Sequence, residues 1–391
     1  MRVRHVAELN PRVPQLTRDN AGLDISFLPL EKIWADHRFD PSTTVTFSGD
    51  IQSYNAVAEG DILIPKVSPT FSHGRVALAD QLVNRCALAT SEVFVLRARS
   101  RADARFLRYR LMAADVRQEG EASWVGVAGL KRVSGDFIKD VFIAPEGWAQ
   151  RSKITAFLDV SLAKVDELAN ELVEARRLAK EWLVARTAEL LDVESGDVAF
   201  GRYATLQRGF DLPSDQRVDG SVQVIGSGGP SGTHNVAAVN GPAVVTGRYG
   251  SIGVVTWSDS ACWPLNTSLY VSDFKGNDPR FVYWSLRSLP LRREAAKAAV
   301  PGLHRADVHR LRIGRFEKDE QRRIAAALDK KQAEVGELEE ERLVQLNLIA
   351  AYRDALLTEA VTGRLDLSRL SEGDVQQDVA ALTGRSKAVV A

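Results

Sequence analysis

Two stretches of the chain carry apolar residues at three- and four-residue intervals. In Arg151–Asp192 the apolar positions are Ile154, Leu158, Val165, Leu168, Leu172, Trp182 and Leu190, with one irregular stretch near Leu178 and neither Pro nor Gly. That spacing is the signature of an amphipathic helix. In Glu317–Thr362 the stripe is Ile324, Leu328, Val335, Leu338, Leu346, Ile349, Tyr352 and Leu356, interrupted only by Gly336. Glu317, Asp319 and Glu320 crowd its first turn, where carboxylates suit the helix dipole, and Gly363 supplies a C-terminal stop. At 1.5 Å per residue each helix runs roughly 60 Å. A helix this long needs a partner to cover its stripe. The matched lengths predict that the two pair with each other as an antiparallel or crossed coiled coil, the alternative being that each pairs with another chain.

The segments before each helix follow a different pattern. DILIPKV, EVFVLRA, VFIAP, SVQVIG, AVVTGRYG, IGVVTW and SLYVSDF are short Val-, Ile- and Phe-rich runs bounded by Gly and polar turns, and read as strands. From about Leu365 the chain is polar and weakly patterned, and reads as a tail. The expected fold is α+β. A mixed α/β domain spans 1–148 and a long helix 149–192. A second mixed domain spans 193–316 and a second helix 317–362, followed by a tail at 363–391.

This alternation reflects an internal repeat. Thr90-Ser91 aligns with Thr267-Ser268, Asp103-Ala-Arg-Phe106 with Asp278-Pro-Arg-Phe281, and Gly129-Leu-Lys-Arg132 with Gly302-Leu-His-Arg305. Ile154 through Asp159 aligns with Ile324 through Asp329, and Ala188-Glu-Leu-Leu191 with Asp354-Ala-Leu-Leu357. The offset drifts one way, from 177 to 166, as short loop deletions would produce. Two such units give approximate two-fold symmetry, an internal pseudo-two-fold repeat. Duplex DNA is the usual pseudo-symmetric target, and half-site spacing there follows protein geometry. Two domains of different sequence imply two different half-sites.

Composition narrows the class. The chain has 391 residues, 26% charged and 45% apolar, which excludes wholesale disorder. No apolar run approaches the ~18 residues of a membrane span, and the opening MRVRHVAELNPRV lacks an apolar signal region. A soluble, cytoplasmic protein is expected. Its two cysteines, Cys86 and Cys262, exclude a disulfide framework and a Cys-based zinc site. They fall one residue apart on the repeat, which favours a structural role. The 51 basic and 51 acidic residues cancel, but not locally. Residues 200–316 carry 14 basic and 8 acidic residues, whereas 317–362 carry 7 and 11. This surplus admits a polyanion partner for the second domain, the alternative being chance clustering on a solvated surface.

Catalytic chemistry is not evident. The run Gly226-Ser-Gly228-Gly229-Pro-Ser-Gly232 places Ser231 where a dinucleotide fingerprint needs its third Gly, no helix pattern follows, and a phosphate loop would need Gly-Lys-Ser/Thr. It reads as a turn or a DNA-facing loop. No Pro-Pro-Tyr or Pro-Pro-Phe pocket for adenine methylation occurs. Of six histidines only His304 and His309 are close, without the companions of a metal site. No cofactor and no metal are expected.

The run GFDLPSDQRVDGSVQVIGSGGPSGTHN (Gly209–Asn235) is followed by GPAVVTGRYGSIGVV (Gly241–Val255) and CWPLNTSLYV (Cys262–Val271). The helix openings PEGWAQRSKITAFLD and EQRRIAAALDKKQAEVGELEEE, and the closing RDALLTEAVTGRL, complete a set whose order and duplication are specific together. Over about residues 50–365 the chain resembles the DNA-specificity subunits of type I restriction–modification systems. The resemblance implies that each mixed domain is a target-recognition domain reading half of a split DNA target. It implies that the long helices space the domains and dock methyltransferase subunits, two in number, and that restriction subunits are further partners. It also implies that the subunit itself is not an enzyme. The competing reading is a coiled-coil adaptor that scaffolds two partner proteins without reading DNA.

Reading DNA takes donors and acceptors at base edges, with Arg, Lys and backbone amides on phosphates. The loops that offer these supply Lys66, Ser68, Thr70, His73, Arg75, Lys131 and Arg132 in the first domain. In the second they supply Arg208, Ser227, Thr233, Arg248, Tyr249, Ser251, His304 and Arg305. Arg75 and Arg248 are the expected guanine-pairing residues, and the alternative for Arg248 is a solvated hairpin position. Asn266 is expected to support its loop.

Overall fold

The computed structural model describes residues 1–33, 39–51, 53–67, 70–124, 131–193, 195–297, 301–367 and 372–382. It divides into two compact units, Met1–Leu172 with Leu343–Ala391, and Val173–Arg342.

The first unit contains strands β1 (Ala7–Leu9), β2 (Asp24–Leu28), β3 (Thr44–Thr46), β4 (Asn55–Ala58), β5 (Ile62–Pro65), β6 (Ala77–Leu78), β7 (Cys86–Ala89) and β8 (Val93–Ala98). One sheet has the order β1-β8-β5-β6 with every neighbour antiparallel. The other has the order β3-β2-β7-β4, with β2 and β7 parallel. All four residues of β5 are buried, which is why its sequence is a continuous apolar run rather than an alternation. Helices α1 (Arg101–Met112), α2 (Ala114–Ala122), α3 (Gly135–Asp140) and α4 (Pro145–Ala149) follow. α1 starts where the Ser100 hydroxyl accepts the Asp103 amide, and it packs Phe106, Leu107 and Leu111 into one core with Ile62, Ile64 and Leu96. The predicted strand VFIAP is not one. Phe142 makes a single bridge to Arg2, and Pro145 opens α4 with its fixed φ. α5 (Arg151–Leu190) begins in this unit and passes into the second after Leu172.

The second unit holds β9 (Val198–Ala199), β10 (Thr205–Arg208), β11 (Val222–Gly226), β12 (Gly229–His234), β13 (Ala243–Gly247), β14 (Val255–Ser258), β15 (Cys262–Pro264), β16 (Ser268–Asp273) and β17 (Arg312–Ile313). Its helices are α6 (Pro279–Ser288), α7 (Leu291–Ala295) and α8 (Arg305–Arg310). The main sheet, β10-β16-β13-β14, has the order and antiparallel pairing of β1-β8-β5-β6. A second sheet, β12-β11-β15, again contains one parallel pair, β11 with β15. Cys86 and Cys262 each open the strand on the parallel side, and both are fully buried. The repeat is therefore one of topology as well as sequence. The glycine-rich run is the turn of the β11–β12 hairpin, with Gly226 opposite Gly229.

Each unit pairs a piece of α5 with a piece of α9 (Lys318–Thr362), and both pairs run antiparallel. In the first unit Ile154, Leu158, Val165 and Leu172 share a core with Ile349, Leu356, Leu357 and Val361, and Arg353 pairs with Asp166 at 2.9 Å. In the second, Lys180 pairs with Glu339 at 2.8 Å, and the Gly314 amide before α9 donates to Leu191 after α5. Gly363, at φ +74°, ends α9 as the sequence predicts. Two expectations need correction. Trp182, read as part of the stripe, is half exposed. The polar tail contains a helix, α10 (Glu372–Leu382), that buries Val375 in the first unit's core; one apolar anchor leaves no stripe to read.

Candidate nucleic-acid interface

In the second unit the main sheet and α8 bring four predicted residues to one cleft of about 320 Å³, lined by Arg208, Arg248, Leu269, His304, Arg305 and Ala306. Arg208 ends β10, opposite Leu269 on β16. Arg248 follows β13; its amide donates to Thr267 at 2.9 Å and its carbonyl accepts from Leu303 at 3.0 Å. The Leu303 bond places His304 and Arg305 at the opening of α8. The Arg248 guanidinium stacks on the Tyr249 ring, 4.6 Å from its centroid. Stacking restricts its rotamers while leaving its edge donors free to bond outward.

Two glycines make this convergence sterically possible. A Cβ on Gly302 would lie 2.6 Å from the Tyr249 ring, so the ring closes over that position only because no side chain is there. A Cβ on Gly247 would lie 2.2 Å from the Ser251 carbonyl oxygen and 2.4 Å from the Ser227 carbonyl oxygen. Gly247 thus lets the Ser227 turn of the β11–β12 hairpin seat against the loop carrying Arg248, Tyr249 and Ser251. Thr233 is not part of this group. It is exposed opposite Gln223, toward the open end of the same hairpin.

α8 is locked to the sheet by His309, whose Nε2 accepts the Leu206 amide at 2.9 Å. Burial, then the charges of Lys275 and Arg305, holds the His309 pKa below the usual imidazole range, so the ring is a neutral acceptor. Around the cleft the balance is cationic. Asp211 lies 3.6 Å from Arg208, and Asp307 is paired with Arg310. Such a surface suits phosphate oxygens and the acceptor-rich edge of guanine. The Asn266 side chain donates to Asp211, consistent with its expected role of supporting the loop.

The first unit disperses its predicted residues. Lys66 is the counterpart of Arg248, because its carbonyl accepts the Val133 amide at 3.0 Å, just before α3, as that of Arg248 accepts Leu303 before α8. Arg75, the other residue expected to pair with guanine, is therefore not the repeat counterpart of Arg248. The equivalence also shifts the Gly-Leu-Lys-Arg alignment by three positions, setting Ser134 rather than Lys131 beside His304, since each caps its helix. Lys66 turns inward. Its ammonium donates to the Ser91 carbonyl at 2.6 Å and sits over Phe94, and burial lowers its pKa. Arg132 is bound through two hydrogen bonds to Glu92, each 2.9 Å, which holds the Glu92 carboxyl below its usual range. Thr70 is buried, and Arg75 is half-buried with an Nε that has no partner among the described residues. His73 and Lys131 are exposed, Lys131 5.4 Å from the Trp124 ring centroid. Ser68 lies outside the described residues.

One cationic residue escaped the sequence reading. Arg292 lines a second cleft of about 310 Å³ with Gly250, Ser251 and Pro301. It belongs to the basic surplus of 200–316, but only the fold brings α7 beside the Gly250 turn. Among the described residues no group of three or more His, Cys, Asp or Glu is placed to hold a metal, and no helix is long and apolar enough to cross a membrane.

This architecture agrees with the comparisons. No protein-family model matches the chain. Over 226 residues, 56% of the chain, it is 24% identical to the Escherichia coli type I restriction enzyme EcoAI specificity subunit, and the match spans 38% of that relative's length. A chain from a structure of complex assembly and conformational transition of the type I R-M system superposes with a TM-score of 0.76 at 16% identity, covering 93% of this chain and 97% of that one. The HsdS subunit from Thermoanaerobacter tengcongensis superposes with a TM-score of 0.53 at 17% identity, covering 93% and 96%. The chain shares the fold of these type I subunits. In sequence it is similar to their specificity class.

Proposed function

We propose that the chain is the specificity subunit of a type I restriction–modification complex. Each mixed domain reads one half of a split duplex target, and the chain directs two methyltransferase subunits, and restriction subunits, to that target in the cytoplasm. The chain binds but does not catalyse, and takes no cofactor. The observation that carries this reading is the second unit's cleft, where Arg208, Arg248, His304 and Arg305 converge on the same strand frame that, in the first unit, presents different side chains. One frame with two unlike tips is what a target with two unlike halves requires. Docking of protein partners is supported by apolar residues left exposed on the long helices. These are Val173, Leu178, Trp182 and Val184 in the second unit, and Leu343, Val344 and Leu348 in the first.

The experiment is a modified-base map of DNA from cells that express the chain with a type I methyltransferase subunit. A single split motif with methyladenine in both halves is expected, and exchange of residues 193–316 for another such domain should change one half only. An assembled complex that adds no methylation would overturn the reading in favour of an adaptor.

A further inference from the structure

The two units share little sequence, yet they keep one polar contact between domain and long helix. In the second unit the Arg280 Nε on α6 donates to both oxygens of Asp329 on α9, at 2.8 and 3.0 Å, and the Trp284 indole N–H, one turn on, donates to the same carboxylate at 2.8 Å. In the first unit Arg105 on α1 donates to Asp159 on α5, and the Tyr109 hydroxyl, again one turn on, donates to that carboxylate at 2.6 Å. Asp159 and Asp329 are repeat equivalents, as are Arg105 and Arg280. The second donor has changed from phenol to indole, but its geometry persists. Phe106 and Phe281, next to the two arginines, are both fully buried.

A second contact lies eight residues earlier on each long helix, about 12 Å along its axis. Here the chemistry has diverged. Arg151 donates to Asp103 at 2.6 Å in the first unit. In the second the buried Gln321 accepts the Asp278 amide at 3.0 Å and donates to Asn277 at 2.9 Å. These two polar contacts add to the apolar packing of Leu328 with Trp284 and to the Arg287–Gln332 hydrogen bond; being directional and set apart along one rigid helix, they restrict rotation more than apolar packing does, so loss of one loosens the orientation. The Arg280 guanidinium is further held between the Trp257 and Tyr283 rings, at 4.8 and 4.6 Å from their centroids, so the donor side is stiff.

We infer that Asp159 and Asp329 are positioning residues that fix the angle of each recognition domain on its helix, and through that angle set the spacer length the protein accepts between half-sites. The spacer clause rests on the specificity reading; the orientation clause does not. One base pair more or less displaces a half-site by about 3.4 Å and rotates it by roughly 35°. A domain that keeps both polar contacts follows that change less readily than one that has lost the aspartate.

The test uses the full chain with spin labels at Ser231→Cys and Glu340→Cys, both in the second unit, and reads their distance distribution with and without Asp329→Ala. A narrow distribution that broadens in the variant is expected; an unchanged width overturns the inference. In the methyltransferase complex, the ratio of methylation at the native spacer to that at spacers one base pair longer or shorter is expected to fall severalfold in Asp329→Ala and in Asp159→Ala, with half-site sequences unchanged. A broadened distribution with an unchanged ratio overturns the spacing role. Should Asp329→Ala not fold, Trp284→Phe and Asp329→Asn remove single parts of the contact and are expected to move both readouts the same way, to a smaller extent. A wild-type complex with no split motif would overturn the specificity reading, and the label widths would still decide the anchor.

Discussion

Gly247→Ala is the most discriminating single change that the second unit offers. The added methyl would sit 2.2 Å from one backbone oxygen and 2.4 Å from another, where ordinary contact begins near 3.4 Å. The Ser227 and Ser251 turns must therefore separate by about 1 Å. Neither obstacle is a side chain that could rotate away, and Gly247 is tied on both sides. Its amide donates to Val254 at 3.0 Å, and its carbonyl accepts from Gly253 at 3.3 Å. Overpacking of this kind costs about 1–3 kcal/mol. The comparison is Gly302→Ala, whose methyl meets the Tyr249 ring, a side chain 39% exposed and free to swing outward. That change should cost about 0.5 kcal/mol or less, yet it removes the ring from beneath Arg248.

Hydrogen exchange read by mass spectrometry, with a urea series, resolves the two units separately. Gly247→Ala is expected to lower the protection of residues 222–258 and the stability of the second unit, leave the first unit unchanged, and abolish recognition of one half-site. Gly302→Ala is expected to keep stability and alter only half-site preference. Wild-type stability and protection in Gly247→Ala would refute the claim that these two turns are seated by the missing Cβ.

Four further outcomes follow from the same coordinates. Gly336, inside α9 with no atom near an added methyl, should gain about 0.5–1 kcal/mol as Gly336→Ala, read as a raised unfolding midpoint. Because the folded pKa of His309 lies below its ordinary 6.5, the unfolded chain binds the proton first. Second-unit stability should thus be full above pH 6.5 and fall as pH drops through and below it, a dependence that His309→Gln should flatten in denaturation series at pH 7.5 and 5. Burial pushes Cys262 up to about 11 from 9.0, so stability should decline between those pH values as the unfolded chain releases a proton that the folded chain keeps. Cys262→Ala should make that slope shallower, leaving the part that the burial-raised Cys86 and Tyr203 contribute. Arg248→Ala should relax discrimination at one position of one half-site, by roughly 1–3 kcal/mol for a bidentate guanine contact, whereas an even loss across all sequences would make Arg248 a phosphate contact.

The long helices were legible because their stripes are long and uninterrupted by proline. Strands β5, β8, β11, β13, β14 and β16 were legible because β-branched and aromatic runs stood between clear turns. The helices inside the domains were not. α1 buries Asp103 and Arg110 together with Phe106 and Leu107, so its polar residues fall where a stripe should be apolar. VFIAP failed for the opposite reason: its local β preference is real, but Pro145 and the isolated Phe142 bridge give it no partner strand. Four basic residues singled out in the second domain from its basic surplus and Gly-rich turns line one cleft of the fold. In the first domain the same residue types are placed differently. Lys66 and Arg132 look like free cations in sequence, and only the fold shows that Ser91 and Glu92 occupy them.

That asymmetry is itself informative, because the repeat lets the chain be compared with itself. What the two units keep is the frame: the antiparallel order of the main sheet, the parallel pair beside it, a buried cysteine opening one strand, and an aspartate on each long helix gripped by an arginine and an aromatic N–H or O–H. What they change is the tip. Arg248 stands where the other unit has the inward-turned Lys66, and His304 stands where it has Ser134. Gly302, whose missing Cβ admits the Tyr249 ring, stands where it has the Glu92-bound Arg132. The division follows if the frame must hold each tip at a set angle while each tip meets a different surface. On the proposed reading, the cationic second tip suits an acceptor-rich surface, and the first tip, where Lys66 and Arg132 are partnered by Ser91 and Glu92 while His73 and Lys131 stay exposed, presents a different set of donors.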